Sequence, residues 1–385
     1  MARTRPLRIL MVGDYPADPR LGSSKVYYKL REEYERLGHS CDLMLQPEIG
    51  PWPRQAKVRW AVGPWVVANA VAGAARRYDV MDVASAEGAV LGLRRALSPF
   101  DRTAIVSRSH GLEHRNYRRL LDDHAAGLAR KGWHRRWWYP LARLSQVAIA
   151  ARLADRLLVL NNGDAAFAEA RGWKRRDAID VVPHGVSERF LADAPPADAR
   201  RGRGLLFCGS WDDVKGISYL ADAFSALATS MPSARLTILG AGAPAATVRA
   251  RFAPHAREAV TVLPRVDEEE VMRHYREHDG LVLPSTYEGF GMVVIEAMSQ
   301  RLPVIATPVG CVPGIVRDGV SGLIVPARSA AALGAAMERL LQEPGLGRRL
   351  AEAAYPQAAA HTWARTAAET LAAYRAAIAG RSGAS

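Results

Sequence analysis

The sequence predicts an α/β protein with two domains, each a parallel β-sheet covered by helices. Short apolar runs alternate with longer amphipathic stretches along the whole chain, which is the pattern of parallel sheets flanked by helices. The 385 residues also exceed what one α/β core usually holds. Apolar residues make up 49% of the chain and charged residues 24%, as in ordinary globular proteins.

Six apolar runs in each half of the chain are predicted to be strands. They are Arg8 to Val12, Cys41 to Leu45, Val80 to Ala84, Ala104 to Ser107, Arg156 to Leu160 and Ile179 to Val182, then Leu205 to Cys208, Leu236 to Leu239, Val260 to Leu263, Gly280 to Leu283, Pro303 to Ala306 and Leu323 to Val325. The segment Ala192 to Gly204 interrupts this rhythm with prolines and arginines, so the domain boundary is placed there. The predicted domains are residues 1–195 and 196–361, followed by a helix with a flexible tail at 362–385. Two such sheets in tandem imply a cleft between them.

The stretch from Glu288 to Glu296 is the most informative about function. An apolar run ends at Leu283 and helix-forming residues follow Gly291, so Gly291 is predicted to open a helix at the carboxyl end of a strand. The N–H groups and macrodipole of such a helix favour a diphosphate. Glu296 lies about a turn and a half into the helix, within reach of a diol on that phosphate, while Glu288 meets a second polar group. The pattern predicts a nucleotide-sugar site.

A second candidate ligand loop runs from Gly209 to Gly216, after the first strand of the second half. Its glycines allow a tight turn, and Lys215 can neutralise a phosphate as a point charge. The alternative is a surface lysine in an ordinary connection between a strand and a helix.

In the first half, Gly22 and His110 are the candidate ligand positions. The loop of small residues around Gly22 can approach a ligand closely, although Ser23 or Ser24 could instead cap the following helix. His110 follows the fourth predicted strand, where it can bond a sugar hydroxyl or steady developing charge. A structural histidine is the alternative there, and His184 is assigned to that structural class, as a turn residue near the hinge.

Metal-dependent chemistry is disfavoured. The sequence lacks a Walker loop, a catalytic triad elbow, a Cys/His cluster and an Asp-x-Asp pair. Cys41, Cys208 and Cys311 are scattered and odd in number, which is typical of reduced thiols in a cytoplasmic protein. The apolar run Ile9 to Val12 is too short for an export signal.

Basic residues outnumber acidic ones by 52 to 39, which gives a formal net charge of +13. The excess is dense between Arg115 and Arg143, where arginines alternate with tryptophans, and this mixture suits anionic lipid headgroups. A solvated basic helix face is the alternative, and a nucleic-acid partner is a third hypothesis that rests on charge alone. The uncharged stretch Trp60 to Ala75 is too short to span a bilayer, so it is either a core helix or a segment lying in the membrane interface.

Taken together, these motifs resemble the retaining glycosyltransferases of family 4, which have the GT-B architecture of two Rossmann-like parallel-sheet domains facing a central cleft. The resemblance rests on Gly209 to Gly216, Pro284 to Glu296, Thr307 to Gly310 and Gly319 to Leu323, with Gly22, His110, Pro183 to Val186 and Thr362-Trp363 in the same order. It covers almost the whole chain, and the two glutamates around Phe290-Gly291 are its most specific part.

The resemblance implies a role for each site residue. Glu288 and His110 are the implied catalytic residues, beside the transferred sugar. Glu296 is implied to bind the ribose hydroxyls and Lys215 the diphosphate. The other implied donor-binding residues are Gly22, Gly209, Ser210, Phe290, Gly291 and Met292. The first domain then binds the acceptor, the second binds the nucleotide-sugar, and the last helix crosses back to the first.

The implied reaction moves a sugar from a nucleotide-sugar to a glycan or lipid-linked acceptor, in cell-surface polysaccharide or glycolipid synthesis. The resemblance implies retention of the anomeric configuration, with the leaving phosphate taking the acceptor proton and with no metal or other cofactor. We expect a cytoplasmic protein in peripheral contact with the anionic inner face of the membrane, and no specific nucleic-acid partner.

Ser210 departs from the family pattern, because many members have an arginine at this position. One lost charge-assisted bond costs roughly 1.5 to 3 kcal/mol. Either Lys215 and the helix at Gly291 then carry more of the diphosphate charge, or another arginine substitutes. The departure also leaves a second hypothesis open, a catalytically silent nucleotide-sugar or glycan-binding protein of the same fold.

Overall fold

The computed structural model describes residues 5–53, 55–73, 77–98, 102–128, 134–196 and 202–382, with the backbone alone at 134, 135 and 382. The chain forms two compact units. Unit 1 contains the chain up to Pro183 together with the segment from Trp363 onwards, and unit 2 runs from His184 to Thr362.

Each unit has a six-stranded parallel sheet within the described residues. The strands are β1 (Arg8–Val12), β2 (Ser40–Met44), β3 (Val80–Ala84), β4 (Ala104–Arg108), β5 (Arg156–Val159) and β6 (Ile179–Val181) in unit 1, and β7 (Leu205–Cys208), β8 (Leu236–Leu239), β9 (Val260–Leu263), β10 (Gly280–Leu283), β11 (Val304–Ala306) and β12 (Leu323–Ile324) in unit 2. All twelve predicted strands are present, with each end within one residue of its predicted position. Strands β3, β4 and β10 are buried along their whole length, because helices cover both faces of the sheets.

The described helices alternate with these strands. Those of unit 1 are α1 (Gly22–Arg36), α2 (Gln46–Ile49), α3 (Ala56–Ala70), α4 (Gly88–Ala96), α5 (Glu113–Ala125), α6 (Ser145–Leu153) and α7 (Asn162–Ala170). Those of unit 2 are α8 (Glu188–Ala192), α9 (Ile217–Ser230), α10 (Ala245–Arg249), α11 (Glu268–Glu277), α12 (Met292–Ser299), α13 (Val312–Ile315), α14 (Ala330–Gln342) and α15 (Leu346–Ala359), and α16 (Trp363–Ser382) belongs to unit 1 again. Two π-helical turns, His134–Trp138 and Pro140–Leu144, precede α6. Across the part of the chain that the structure describes, every helix is too short or too polar to cross a bilayer.

The strand orders locate the positions where each sheet can bind a ligand. The order is β2-β1-β3-β4-β5-β6 in unit 1 and β12-β11-β10-β7-β8-β9 in unit 2. The order therefore reverses between β1 and β3 in the first sheet and between β7 and β10 in the second. Open parallel sheets bind ligands beyond the carboxyl ends of the strands at such switch points. The loops that follow β1, β3, β7 and β10 are consequently the places to look for a site.

The division at Pro183 lies before the segment Ala192 to Gly204, in which the sequence placed the domain boundary. The physical reason is that α8 packs on unit 2. The Ser187 hydroxyl donates to Glu268 Oε1 at 3.0 Å, and the fully buried Phe190 accepts a hydrogen bond at its carbonyl from the Gln300 side chain. Unit 2 therefore begins before the proline-rich stretch, and the prolines do not lie at the boundary between the units. Arg200 and Arg201 of that stretch lie outside the described residues.

A buried ion pair fixes α16 on the sheet of unit 1. Arg108, at the end of β4, places its Nη2 atom 2.6 Å from Asp82 Oδ2 on β3, and both side chains are almost fully buried. The Tyr374 hydroxyl on α16 donates to the same carboxylate and lies 3.4 Å from the Tyr34 hydroxyl on α1. The last helix is therefore attached to two central strands and to α1 by one polar cluster.

We expect Asp82→Ala to destabilise the protein strongly, because it leaves the Arg108 guanidinium buried without its carboxylate. Breaking a buried pair by removing one partner costs about 3 to 5 kcal/mol of unfolding free energy. Asp177→Ala is the matched control, since the Asp177–Arg175 pair at 2.8 Å is exposed on both sides and should change stability by less than about 0.5 kcal/mol. Urea denaturation of the two variants measures the difference, and equal midpoints would contradict the role given to the pair.

Candidate functional site

The candidate site residues of unit 2 lie at the switch point of its sheet. Strands β7 and β10 are adjacent and parallel. The loop after β7 carries Gly209, Ser210 and Lys215, and the loop after β10 carries Glu288 and leads into α12. Two segments that are far apart in the sequence therefore leave the sheet side by side, at the position where open parallel sheets bind their ligands.

Lys215 and Glu288 are in direct contact. The Lys215 ammonium lies 2.6 Å from Glu288 Oε1, and the Ser285 hydroxyl donates to the same oxygen at 2.7 Å. The Glu288 side chain is 8% exposed and that of Lys215 is 23% exposed. A carboxylate this buried requires a cation or hydrogen-bond donors, and here it has both. Lys215 is therefore a partner of the predicted catalytic glutamate, and the simple surface-lysine interpretation is wrong.

Two glycines allow the backbone approaches that make this contact possible. Gly216 has φ of +71°, and a Cβ atom there would overlap the carbonyl oxygen of Pro284. Gly310 has φ of +60°, and a Cβ atom there would overlap the carbonyl oxygen of Phe290 and come within 2.8 Å of Glu288 Cβ. Both positions require a left-handed backbone and leave no space for a side chain. The Lys215 loop and the Glu288 loop are thereby held against each other.

Helix α12 begins where the sequence predicted. Gly291 has φ of +93°, a left-handed conformation that turns the chain from the β10 loop into the helix at Met292. The backbone before the turn is fixed by Cys311, whose amide donates to the Phe290 carbonyl at 2.7 Å. Burial, with an added effect of Glu288, raises the pKa of the Cys311 thiol, which therefore stays protonated. The first amides of α12 thus form a fixed helix N-terminus of the kind that binds anions.

Glu296 lies inside α12 and is held by a tyrosine that the sequence did not single out. Its side chain is buried, and the Tyr275 hydroxyl on α11 donates to Glu296 Oε2 at 3.2 Å. Burial raises the pKa of Tyr275 well above its usual value, so the hydroxyl keeps its proton and remains a donor. Tyr275 is a positioning residue for the carboxylate. In the sequence it resembles any core aromatic of an amphipathic helix, so no local signal identifies it.

His184, which the sequence analysis took as a turn residue, packs against the site. It is buried, and its ring meets the Phe290 ring edge-on with 5.3 Å between centroids. Phe290 is itself buried directly before the Gly291 turn. His184 therefore supports the backbone that leads into α12, a role that its position in the sequence does not reveal.

His110 lies in unit 1, in an aromatic environment at the end of β4. Its ring stacks on Tyr27 with 5.6 Å between centroids and meets Tyr15 edge-on at 5.3 Å. Burial, together with the positive charge of Arg108, lowers the pKa of His110 to about 3. The imidazole is therefore neutral near pH 7, a state in which one ring nitrogen donates and the other accepts hydrogen bonds.

Gly22 begins α1 in a position with open space around it. A Cβ atom at Gly22 would meet nothing within 4 Å. No side chain caps the helix after Leu21, and the Ser24 hydroxyl instead donates to the Pro16 carbonyl at 2.7 Å. The alternative in which Ser23 or Ser24 caps this helix is therefore wrong, while the ligand role of Gly22 stays a prediction.

The switch point of unit 1 carries an ionic network that the sequence analysis missed. Arg143 lies 2.6 Å from Glu87, which follows β3, and 3.2 Å from Glu113 at the start of α5. The Ser85 hydroxyl donates to Glu113 at 2.7 Å. Burial raises the pKa of Glu87, and the neighbouring Arg143 opposes that shift. The guanidinium is thus neutralised internally near the carboxyl ends of β3 and β4, where Glu87 is 2% exposed while Arg143 and Glu113 are 17% and 20% exposed.

A comparison of two glycines tests whether the close approach at Gly310 holds the site together. Gly310 and Gly319 both have left-handed backbones, at φ of +60° and +69°, but a Cβ atom at Gly319 would meet nothing within 4 Å. We expect Gly319→Ala to cost only the left-handed strain of about 1 to 2 kcal/mol. Gly310→Ala adds overpacking of about 1 to 3 kcal/mol and should lower the urea midpoint further. Equal losses in the two variants would show that the approach is not constrained.

Comparisons with known proteins identify the family of the chain. A family model described as Glycosyl transferases group 1 matches residues 202–343. A D-inositol 3-phosphate glycosyltransferase of Nocardia farcinica is 30% identical over 360 residues, which cover 81% of this chain and 76% of that protein. A protein of the same name from Pseudarthrobacter chlorophenolicus is 34% identical over 237 residues, or 58% of this chain and 56% of the relative. The chain therefore spans little more than half the length of this second relative.

Solved structures share the fold. Sucrose-phosphate synthase of Thermosynechococcus elongatus superposes with a TM-score of 0.73 at 22% identity, over 96% of this chain and 98% of that one. HepE of Anabaena, solved in complex with UDP-glucose, gives a TM-score of 0.69 at 16% identity, over 95% of this chain and 99% of that one. These neighbours are glycosyltransferases of the GT-B fold. By its fold, its family model and its Nocardia relative, the chain belongs to the group 1 glycosyl transferases, the family 4 proteins that its motifs resemble.

Proposed function

We propose that the protein transfers a sugar from a nucleoside diphosphate-sugar to a hydroxyl group of an acceptor. The observation that carries this proposal is the contact between Lys215 and Glu288 at the switch point of unit 2, 2.6 Å long and mostly buried. An ammonium and a carboxylate fixed beside a helix N-terminus suit a ligand that has a diphosphate next to a polyhydroxylated group.

Each part of the donor would contact a different group of residues in this site. The amides at the start of α12 and the Lys215 ammonium bind the diphosphate, with the Gly209 loop alongside. The carboxylate of Glu296, oriented by Tyr275, accepts hydrogen bonds from the ribose hydroxyls. Before the donor binds, Lys215 neutralises Glu288. The negative diphosphate competes for that lysine and leaves the Glu288 carboxylate beside the transferred sugar.

We infer a transfer with retention of the anomeric configuration. The bond between the anomeric carbon and the leaving phosphate oxygen breaks, and the acceptor oxygen forms its bond on the same face of the sugar. The leaving phosphate takes the acceptor proton, so the charges balance without an additional base. Lys215 and the α12 amides stabilise the phosphate charge, a role given to no metal ion in this proposal. His110, neutral and held between Tyr15 and Tyr27, is proposed to bond a hydroxyl of the donor sugar.

For the acceptor we propose a glycan or a lipid-linked sugar, used in cell-surface polysaccharide or glycolipid synthesis on the cytoplasmic side of the membrane. The relatives named for D-inositol 3-phosphate suggest a polyol as the acceptor class. The Glu87–Arg143–Glu113 network supports a hydroxyl-rich group, because carboxylates and a guanidinium can bond many hydroxyls.

A catalytically silent binding protein of the same fold remains the second candidate. Ser210 favours it, since the loop has a serine where many members of the family supply a second cation for the diphosphate. Such a protein would bind a nucleotide-sugar through the same residues and release or transfer no sugar.

A panel of nucleoside diphosphate-sugars tests the proposal by thermal shift and then by turnover of the tightest binder. The matching donor should stabilise the protein by about 2.7 kcal/mol at a hundred times its dissociation constant. We expect Glu296→Ala to abolish this stabilisation. Glu288→Ala should keep the fold and lower turnover by about two to three orders of magnitude, as is usual when a charge-stabilising group is lost.

Glu352→Ala is the control, because Glu352 is an exposed acid of the same unit paired with Arg348 at 2.9 Å; it should change neither quantity. Wild-type turnover in both site variants would reject the enzyme proposal. Donor binding without any sugar transfer would instead favour the silent binding protein.

A further inference from the structure

We propose that unit 1 carries a docking surface for an anionic phospholipid bilayer, formed by α3, the end of α4 and the two π-helical turns. The lipid-facing surface is defined by Val58, Trp65, Leu93, Leu97, Trp137 and Leu141. The proposal deepens the membrane contact of the proposed function. Its test needs neither donor nor acceptor, so the failure of one proposal does not decide the other.

Exposed apolar side chains are concentrated on this face. Ten large apolar side chains are exposed among the described residues, and six of them belong to the lipid-facing surface. Trp137 is 67% exposed, Leu141 70% and Leu97 85%. Single exposed apolar residues are ordinary on a protein surface, but a cluster of them marks a place where another molecule binds.

Helix α3 presents one apolar face to the core and another to solvent. Val67 and Ala68 are fully buried in the core of unit 1. Val58 and Trp65, seven residues apart and therefore on one side of the helix, are exposed at 43% and 54%. From its sequence, this stretch is either a core helix or a segment lying in the membrane interface. The structure shows a helix that is buried on one side and exposes apolar residues on the other.

Side-chain contacts join the three segments into one surface. The Trp138 indole donates to the Lys57 carbonyl at 3.1 Å, and Trp60 meets Tyr139 edge-on at 4.9 Å, which places the π-helical turns along the first half of α3. At the other end of α3, Arg94 of α4 donates to Asn69 Oδ1 at 2.6 Å. These contacts make α3, the end of α4 and the two π-helical turns neighbours in space.

The charge of these segments matches an anionic partner. The ranges 56–70, 88–97 and 134–144 contain seven basic residues and no Asp or Glu. Three of the seven, Arg59, Arg95 and Arg143, pair with acids from other segments, so the cations that the proposal uses are Arg94 and Arg136. Two of the cations lie over exposed tryptophans, since the guanidinium of Arg94 is 5.9 Å from the Trp65 ring and that of Arg136 is 5.4 Å from the Trp137 ring. Indole rings beside guanidinium groups suit the headgroup region of a bilayer, where the rings enter the interface and the cations bind lipid phosphates. A purely electrostatic polyanion contact would not require the exposed tryptophans.

This surface overlaps only in part with the basic run from Arg115 to Arg143, because Trp137 and Leu141 lie within that run while the exposed residues of α3 and α4 lie outside it. Several arginines of that run form internal pairs: Arg115 with Asp164 at 2.7 Å, Arg119 with Asp123 at 2.6 Å, and Arg143 with Glu87. Arg130, Lys131 and Trp133 lie outside the described residues. The exposed apolar residues of α3, Val58 and Trp65, are far from this run in the sequence but belong to the same lipid-facing surface.

Co-sedimentation with vesicles tests the proposal on the full chain. We expect binding to vesicles of phosphatidylcholine and phosphatidylglycerol in equal parts to be about tenfold tighter than to phosphatidylcholine alone. The double variant Trp65→Ser, Trp137→Ser should weaken binding to the anionic vesicles about tenfold, because two interfacial anchors are lost. Arg136→Gln should weaken it about fivefold and reduce its dependence on salt.

The control is the double variant Leu37→Ser, Val320→Ser. It removes two exposed apolar residues that lie outside the lipid-facing surface, and their exposed fractions are 48% and 46%. It should bind vesicles as the wild type does. Equal binding of the wild type to both kinds of vesicle overturns the proposal, as does undiminished binding by the tryptophan variant. A wild-type dimer in light scattering that the tryptophan variant lacks also overturns it, because the surface would then be covered by a second copy of the chain.

Discussion

The contact between Lys215 and Glu288 is the interaction on which the candidate site depends. It joins the loops after β7 and β10, the two strands between which the order of the second sheet reverses. Burying a carboxylate is costly unless it is paired and hydrogen-bonded, so the lysine contact holds Glu288 in place. The left-handed glycines at 216 and 310 bring the two loops close enough for this contact. A negative ligand that attracts Lys215 would change the environment of Glu288 at the same moment.

The same principle of internal neutralisation explains why the net charge is a poor guide to the surface. Of the basic residues in the run from Arg115 to Arg143, the arginines at both ends are paired with buried acids. In the core of unit 1, Arg108 is paired with Asp82 and joins α16 to the sheet. The same holds for Arg59 of α3 and Arg95 of α4, which pair with Asp14 and Asp155, so the membrane proposal uses the charges of Arg94 and Arg136 beside the exposed tryptophans.

The sequence predicted the strands because both sheets are covered by helices, so that the central strands, such as β4 and β10, are buried along their length. It predicted the turn at Gly291 because a glycine stands where the apolar run of β10 gives way to the helix-forming residues of α12. It did not predict Tyr275, His184 or the Glu87–Arg143 network, because these residues act through contacts between segments that are distant in the chain. The division between the units lies after Pro183, before the predicted boundary in Ala192 to Gly204. The difference arises because α8, which precedes the prolines, already belongs to unit 2.

The most direct test of the account is the structure of the protein bound to its nucleoside diphosphate-sugar. We expect the diphosphate oxygens to lie within hydrogen-bond distance of Lys215 Nζ and of the first amides of α12. The ribose hydroxyls should contact Glu296, and the distance between Lys215 and Glu288 should exceed that of the free protein, 2.6 Å. A ligand bound elsewhere, with Lys215 still on Glu288 and Glu296 without contact to ribose, would contradict the account.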